Sequence, residues 1–225
     1  MVNPIGDVLP FAIGVMISPL SIIAVISMLS SKRAKSNSLT FLLGWILGLI
    51  IIGGVVLTII GRRNFSPNSQ PSIEASIIRV LAGMLLLYLA AWVWRVSSTP
   101  GKQPPLLMRI NAIDTYTPAK AFGLGLLLSA AYPKNLTLTI IAALNIAQAQ
   151  VSNLLNTLVL AVFIFISSIL VIVPILTSFV LGDKAAQRLD SWKAWNIEHY
   201  TAVMVVVFLA LAAMNLGKGL NGIFS

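Results

Sequence analysis

Six stretches of this chain are each apolar over about the length a helix needs to cross a bilayer, roughly 20 residues. They run Val8–Leu29, Leu39–Gly61, Ser76–Trp94, Ala121–Ala147, Leu154–Gly182 and Tyr200–Gly217. Runs of this kind constrain the fold more than any other feature, and they predict an all-α membrane protein with six transmembrane helices. Composition agrees. Of 225 residues, 58% are hydrophobic and 9% charged, whereas a soluble domain carries roughly a quarter charged residues. Lipid must therefore surround most of the surface. The first run has no Lys or Arg before Lys32 and no small-residue cleavage site, so it reads as a retained helix rather than a signal peptide. The fourth and fifth runs are long enough to tilt or break.

The same composition narrows the chemistry. There are no cysteines, one histidine and six acidic residues, which removes disulfides and thiolate chemistry and leaves little for metal ligation. No nucleophile–base pair is visible, so the reading is a non-enzyme without cofactor or metal. The net charge of +9 lies in the segments between apolar runs, which argues for a topology signal rather than nucleic-acid binding. Lys32, Arg33, Lys35, Arg95, Lys102, Arg109, Lys120, Lys184, Arg188 and Lys193 fall on one side. Arg62, Arg63, Arg79 and Lys218 fall on the other. The positive-inside rule then puts both termini outside the cytoplasm, in an integral plasma (inner) membrane protein.

The longest loop, about Arg95–Lys120, is rich in Pro, Ser and Lys. It divides the chain into a first three-helix set (1–95), a cytoplasmic linker (96–120) and a second three-helix set (121–225). Three helices each means that the halves enter the membrane from opposite sides, as in an inverted repeat. Weak sequence symmetry supports this. Phe11-Ala12-Ile13-Gly14 followed by Pro19 parallels Phe122-Gly123-Leu124-Gly125 followed by Pro133, so the first helix of each repeat is expected to break at a proline. Between Asp183 and Tyr200, the spacing of Leu189, Trp192 and Trp195 predicts a short helix in the interface, with indoles at headgroup level.

The breaks concentrate the residues able to carry chemistry. A proline within a span removes one backbone hydrogen bond, and the carbonyl it frees needs a partner in lipid. Ser18 and Ser21 flank Pro19 and offer hydroxyls. At the second break, Pro133-Lys134-Asn135 puts a lysine about thirteen residues into its span, roughly 20 Å deep at 1.5 Å per residue. With Arg79 counted among the loop charges, Lys134 is the only charge inside any span. Its insertion costs about 2.5–3.5 kcal/mol, so it must snorkel, find a partner or await an anionic group. Asp7 is the nearest acidic candidate by depth. Asn135 adds donors and acceptors beside the charge. Gly44, Gly48, Gly53 and Gly54 read as sites of close helix approach. Pro174 is a candidate kink. Asn145, Asn156, Ser167 and Ser168 suit either a cavity wall or interhelical hydrogen bonds.

Three stretches resemble a known family. Gly6-Asp7-Val8-Leu9-Pro10 with Gly14-Val15-Met16-Ile17-Ser18-Pro19 and Ile22–Ile26 is the first. Ser31-Lys32-Arg33-Ala34-Lys35-Ser36-Asn37 with Phe41-Leu42-Leu43-Gly44-Trp45 is the second, and Tyr132-Pro133-Lys134-Asn135-Leu136 the third. Together they resemble the GAP family, the sulfolipid-1-addressing and peptidoglycolipid-addressing proteins placed in the lysine-exporter (LysE) superfamily. The resemblance spans the six-helix plan. It implies two three-helix repeats and a role in moving a molecule outward across the membrane.

The expected function is a transporter, or an export-assisting protein, for an anionic amphiphile such as a glycolipid. Lys134, Asn135, Pro133, Ser18, Pro19, Ser21 and Asp7 are the substrate-binding candidates. Membrane lipid or the amphiphile itself is the expected partner, with a homo-oligomer or a larger export machinery as the assembly. A small-solute exporter of the amino-acid type is the first alternative. A membrane-embedded acyl-transfer enzyme is the second, and it would need Ser18 and Lys134 within hydrogen-bond reach.

Overall fold

The first and fourth apolar runs do not fold as straight rods. In the computed structural model, which describes residues 4–60, 73–97, 116–149 and 151–224, each is a pair of helices meeting at an angle. Helix α1 (Pro4–Met16) and α2 (Pro19–Leu29) meet at 53°. Helix α5 (Pro118–Leu126) continues through a π-helical turn, Leu127–Ala131, and then meets α6 (Pro133–Gln148) at 59°. The expected breaks thus occur at Pro19 and Pro133. Each proline opens the second arm, where its fixed φ suits the first helical turn and an N–H would have no partner within that arm.

The remaining apolar runs are continuous: α3 (Ala34–Ile60), α4 (Ile73–Ser97), α7 (Asn153–Leu181) and α9 (Tyr200–Phe224). These four are long and apolar enough to cross a bilayer, and the count rises to six if each bent pair is one span. Helix α7 runs unbroken through Pro174. It starts where the Ser152 hydroxyl accepts a hydrogen bond from Leu155 N, and it ends at Gly182, whose φ of 52° a side chain would disfavour. The segment expected to be helical near Trp192 is α8 (Ala185–Glu198). Its Leu189 is buried against the body of the molecule, while Trp195 is half exposed and stacks on His199 at 4.6 Å. Arg62, Arg63, Lys102, Arg109 and most of the 96–120 linker lie outside the described residues.

Burial sorts the helices into two classes. Every residue of α2 from Pro19 to Met28 is buried, although most of them are apolar. A helix that is hydrophobic all round belongs inside, and α2 lies against α3, α7 and α8. Helix α6 is buried nearly all round between Lys134 and Ala147, but with a polar content: Lys134, Asn135, Thr137, Thr139 and Asn145. In contrast α3, α4, α7 and α9 turn large side chains outward, among them Leu43, Leu81, Phe165 and Val206. The second arms of the two bent pairs, α2 and α6, form the interior, and the unbroken helices carry the exposed apolar faces.

Glycine sets the closest helix crossings. A Cβ on Gly44 of α3 would fall on the Phe122 carbonyl oxygen, and a Cβ on Gly125 of α5 would fall on that of Phe41. The two glycines therefore let the backbones of α3 and α5 touch reciprocally. Gly48 makes room for the Ser129 hydroxyl. A second tight pairing joins α4 and α9, where a Cβ on Gly219 would lie 2.9 Å from the Ser76 carbonyl oxygen.

Candidate functional site

The chemistry of the interior follows from which backbone groups the two breaks leave unpaired. At the first, Ser18 N donates to Met16 O at 2.8 Å instead of reaching Gly14 O, its helical partner. Ser21 N turns to Ser18 O at 3.0 Å and leaves Ile17 O without its usual donor. In a dry interior an unmet carbonyl costs about 1–3 kcal/mol. Lys134 supplies both bonds: its Nζ donates to Gly14 O at 2.8 Å and to Ile17 O at 2.7 Å. The side chain is fully buried, so it does not snorkel. Two bonds from a charged donor, at about 1.5–3 kcal/mol each, are of the size needed to offset an insertion cost of about 2.5–3.5 kcal/mol. That balance explains how a lysine sits at this depth without a carboxylate.

The second break is closed by the next residue. Tyr132 N donates to Leu127 O at 2.9 Å, the i+5 bond of the π turn. Pro133 has no N–H, so Leu128 O loses its own i+5 partner. Asn135 Nδ2 donates to it at 2.8 Å. Adjacent residues at the head of α6 thus serve the two breaks, Lys134 reaching across to α1–α2 and Asn135 reaching back to its own. Asn135 Oδ1 is buried with no partner.

The other sequence candidates are distributed differently. Ser18 and Ser21 do not serve the freed carbonyls; their hydroxyls lie 3.1 Å from one another. The Ser18–Lys134 pair that acyl transfer requires is therefore not made, since the ammonium donates to backbone carbonyls. Pro19 is buried and Pro133 is exposed. Asp7 lies about two turns of α1, roughly 10 Å, from Gly14, and its carboxylate is 3.8 Å from Lys218 Nζ in an exposed pair. It is not brought to Lys134.

By its place in the sequence Arg79 counts among the loop charges and Lys134 is the only charge within a span, and here the structure differs. Arg79 lies in the membrane-spanning part of α4 and is only 8% exposed. Its guanidinium donates to Asn145 Oδ1 and, at 3.0 Å, to Gln148 Oε1, both on α6. Asn145 and Gln148 stand three residues apart on one helix face, at the end of α6 that comes level with the start of α4. That polar pair was the signal available.

Two openings follow the seam between α3 and α7, which run antiparallel side by side. At the end where α3 begins and α7 ends, a crevice of about 780 Å³ lies between Leu29, Lys35 and Leu39 on one side and Phe179, Leu189 and Asp190 on the other. Further along the same two helices, an almost wholly apolar groove of about 440 Å³ is lined by Ile46, Ile50, Leu160, Ile164, Phe165, Ser168 and Ile172.

Fold and site together define a polytopic helical membrane protein in which α1 and α6 of the two bent pairs pack together and a buried lysine bonds one across to the other. The chain belongs to the sulfolipid-1-addressing protein (Sap) family, whose sequence model matches residues 8–221. The match runs from within α1 to within α9 and so takes in both breaks and every helix between. No curated protein and no solved structure matches the chain.

Proposed function

We propose that this protein carries, or helps another exporter to carry, an anionic amphiphile such as a glycolipid outward across the inner membrane, as a member of the lysine-exporter superfamily. The observation that carries the reading is the position of Lys134, held between the two broken helices by carbonyls that exist as free acceptors only because the first helix is broken. An anionic headgroup that drew the ammonium away would unfasten α6 from α1 and α2. Cargo binding and helix movement would then be one event.

Two further features support it. The family's own description names sulfolipid-1 as the molecule addressed. The α3–α7 seam offers a polar-edged crevice and, further along, a separate apolar groove, the order of surfaces that an amphiphile needs if its tails are to stay in the bilayer. The frame proposed for the movement is an inverted repeat of α1–α4 and α5–α9. Helix α3 packs on α5 and α6, and its counterpart α7 packs on α1 and α2, the exchange that a twofold axis in the membrane plane would generate. The crevice would face the cytoplasm and the termini the opposite side, by the distribution of Lys and Arg.

The test is complementation in cells lacking the protein, with surface amphiphile measured by mass spectrometry. Lys134→Met, which keeps the length of the side chain and removes its donors, is expected to abolish export, measured per molecule of protein in the membrane because the variant leaves the Gly14 and Ile17 carbonyls unmet. Export at the wild-type rate by that variant would rule the reading out.

A further inference from the structure

Arg79 is the second cation buried among these helices, and it differs from Lys134 in what its surroundings leave unmet. Its guanidinium meets the side-chain oxygens of Asn145 and Gln148. Those bonds turn both amide nitrogens elsewhere, and neither Asn145 Nδ2 nor Gln148 Nε2 has an acceptor. Arg79 Nε is also buried without one, as is the hydroxyl of Ser76, one turn earlier on α4. Four buried polar atoms thus lie unpartnered in one small region, and three of them are nitrogens that can only donate. Among the described residues no carboxylate forms an ion pair with Arg79. The acid whose charge acts on it, Asp7, is already paired with Lys218.

A cluster short of acceptors and carrying a positive charge is complementary to an oxyanion. Sulfate, phosphate and carboxylate groups bring several acceptor oxygens, and a guanidinium that has an Nε–H to spare binds them in its fork. The cluster lies about 9 Å, six residues, into α4 and within one turn of the end of α6. That is within two turns of the start of α4, on the face where α1 begins and α9 ends. We propose that Arg79, Asn145, Gln148 and Ser76 form a binding site for an oxyanion, carried on an amphiphile in the leaflet at that face or free in solution. The site is separate from Lys134 and lies on the opposite side of the molecule from the α3–α7 crevice. If the proposed outward movement is correct, it is where an anionic headgroup would arrive.

The experiment uses the purified full chain in nanodiscs of phosphatidylcholine. Thermal stability is followed while phosphatidylglycerol is mixed into the lipid, and in a separate arm while inorganic sulfate or phosphate is titrated at constant ionic strength. Saturable stabilisation is expected in at least one arm: the lipid arm alone marks a headgroup site, and the inorganic arm marks a site open to free anions. Arg79→Gln should weaken the apparent affinity on the order of tenfold or more. Gln148→Leu, which retains the cation and removes one donor, should weaken it less. It also decides the question if Arg79→Gln does not fold. Lys134→Met should leave this binding intact, so that loss of export and loss of this site are read separately. No anion-dependent stabilisation in either arm, or stabilisation unchanged in the Arg79 and Gln148 variants, would overturn the proposal.

Discussion

Lys134 and Asn135 occupy consecutive positions and do the same chemical work at different breaks. Each gives N–H donors to carbonyls that a neighbouring proline or a redirected amide has left unmet. For Asn135 the consequence can be isolated, because its bond stays within its own broken helix. Asn135→Ala should lower stability by about 1–3 kcal/mol, the cost of one unmet buried carbonyl. Asn135→Asp should cost more, since it sets a second acceptor against Leu128 O. Thermal unfolding in mild detergent, followed by tryptophan fluorescence, checks the order. The depth of Lys134 was legible from its place in an apolar run, and so was its need for a partner. The identity of that partner was not, because Gly14 O and Ile17 O become free through the detailed path of the chain around Ser18, more than a hundred residues away. Arg79 was misjudged for a related reason. Distance from the end of an apolar run does not show whether a neighbouring helix covers the side chain, and here α6 does.

At the scale of helices, the sequence carried the breaks plainly, since a proline can head a helix in an apolar interior far more easily than it can sit within one. It also carried Gly44 as a packing residue. Its counterpart Gly125 was visible only as part of an F-x-x-G likeness, because close approach needs two surfaces and a sequence displays one at a time. The reciprocal contact makes a definite prediction. Gly125→Ala would set a methyl group against the Phe41 carbonyl and Trp45 N, neither of which can move without shifting α3. The expected loss is about 1–3 kcal/mol, the range for overpacking a tight interior. Gly123→Ala, two residues away where a Cβ meets nothing within 4 Å, should be neutral or slightly stabilising through better helix propensity. Comparing melting temperatures of the two variants tests whether the α3–α5 crossing is as close as described.

The whole molecule places the second arms of its bent pairs, α2 and α6, inside and its unbroken apolar helices outside, so any movement of cargo through the α3–α7 seam must separate two of the outer rods. The chain has no cysteine, which makes that separation accessible to thiol chemistry without background. Leu39 at the start of α3 and Phe179 near the end of α7 line the same crevice, so cysteines at both positions should be bridged by a short bifunctional thiol reagent. If the seam is the route of the amphiphile, bridging should stop export and cleavage of a reducible bridge should restore it, while either single cysteine treated alike should export normally. Export that continued with the bridge in place would move the path away from this seam. The same thiols report topology. Cysteine at Lys35, on the crevice side, and at Lys218, beside Asp7, should react with an impermeant maleimide from opposite sides of the membrane, with Lys218 labelled in intact cells. Labelling of both from one side would remove the proposed orientation and, with it, the outward direction assigned to the cargo.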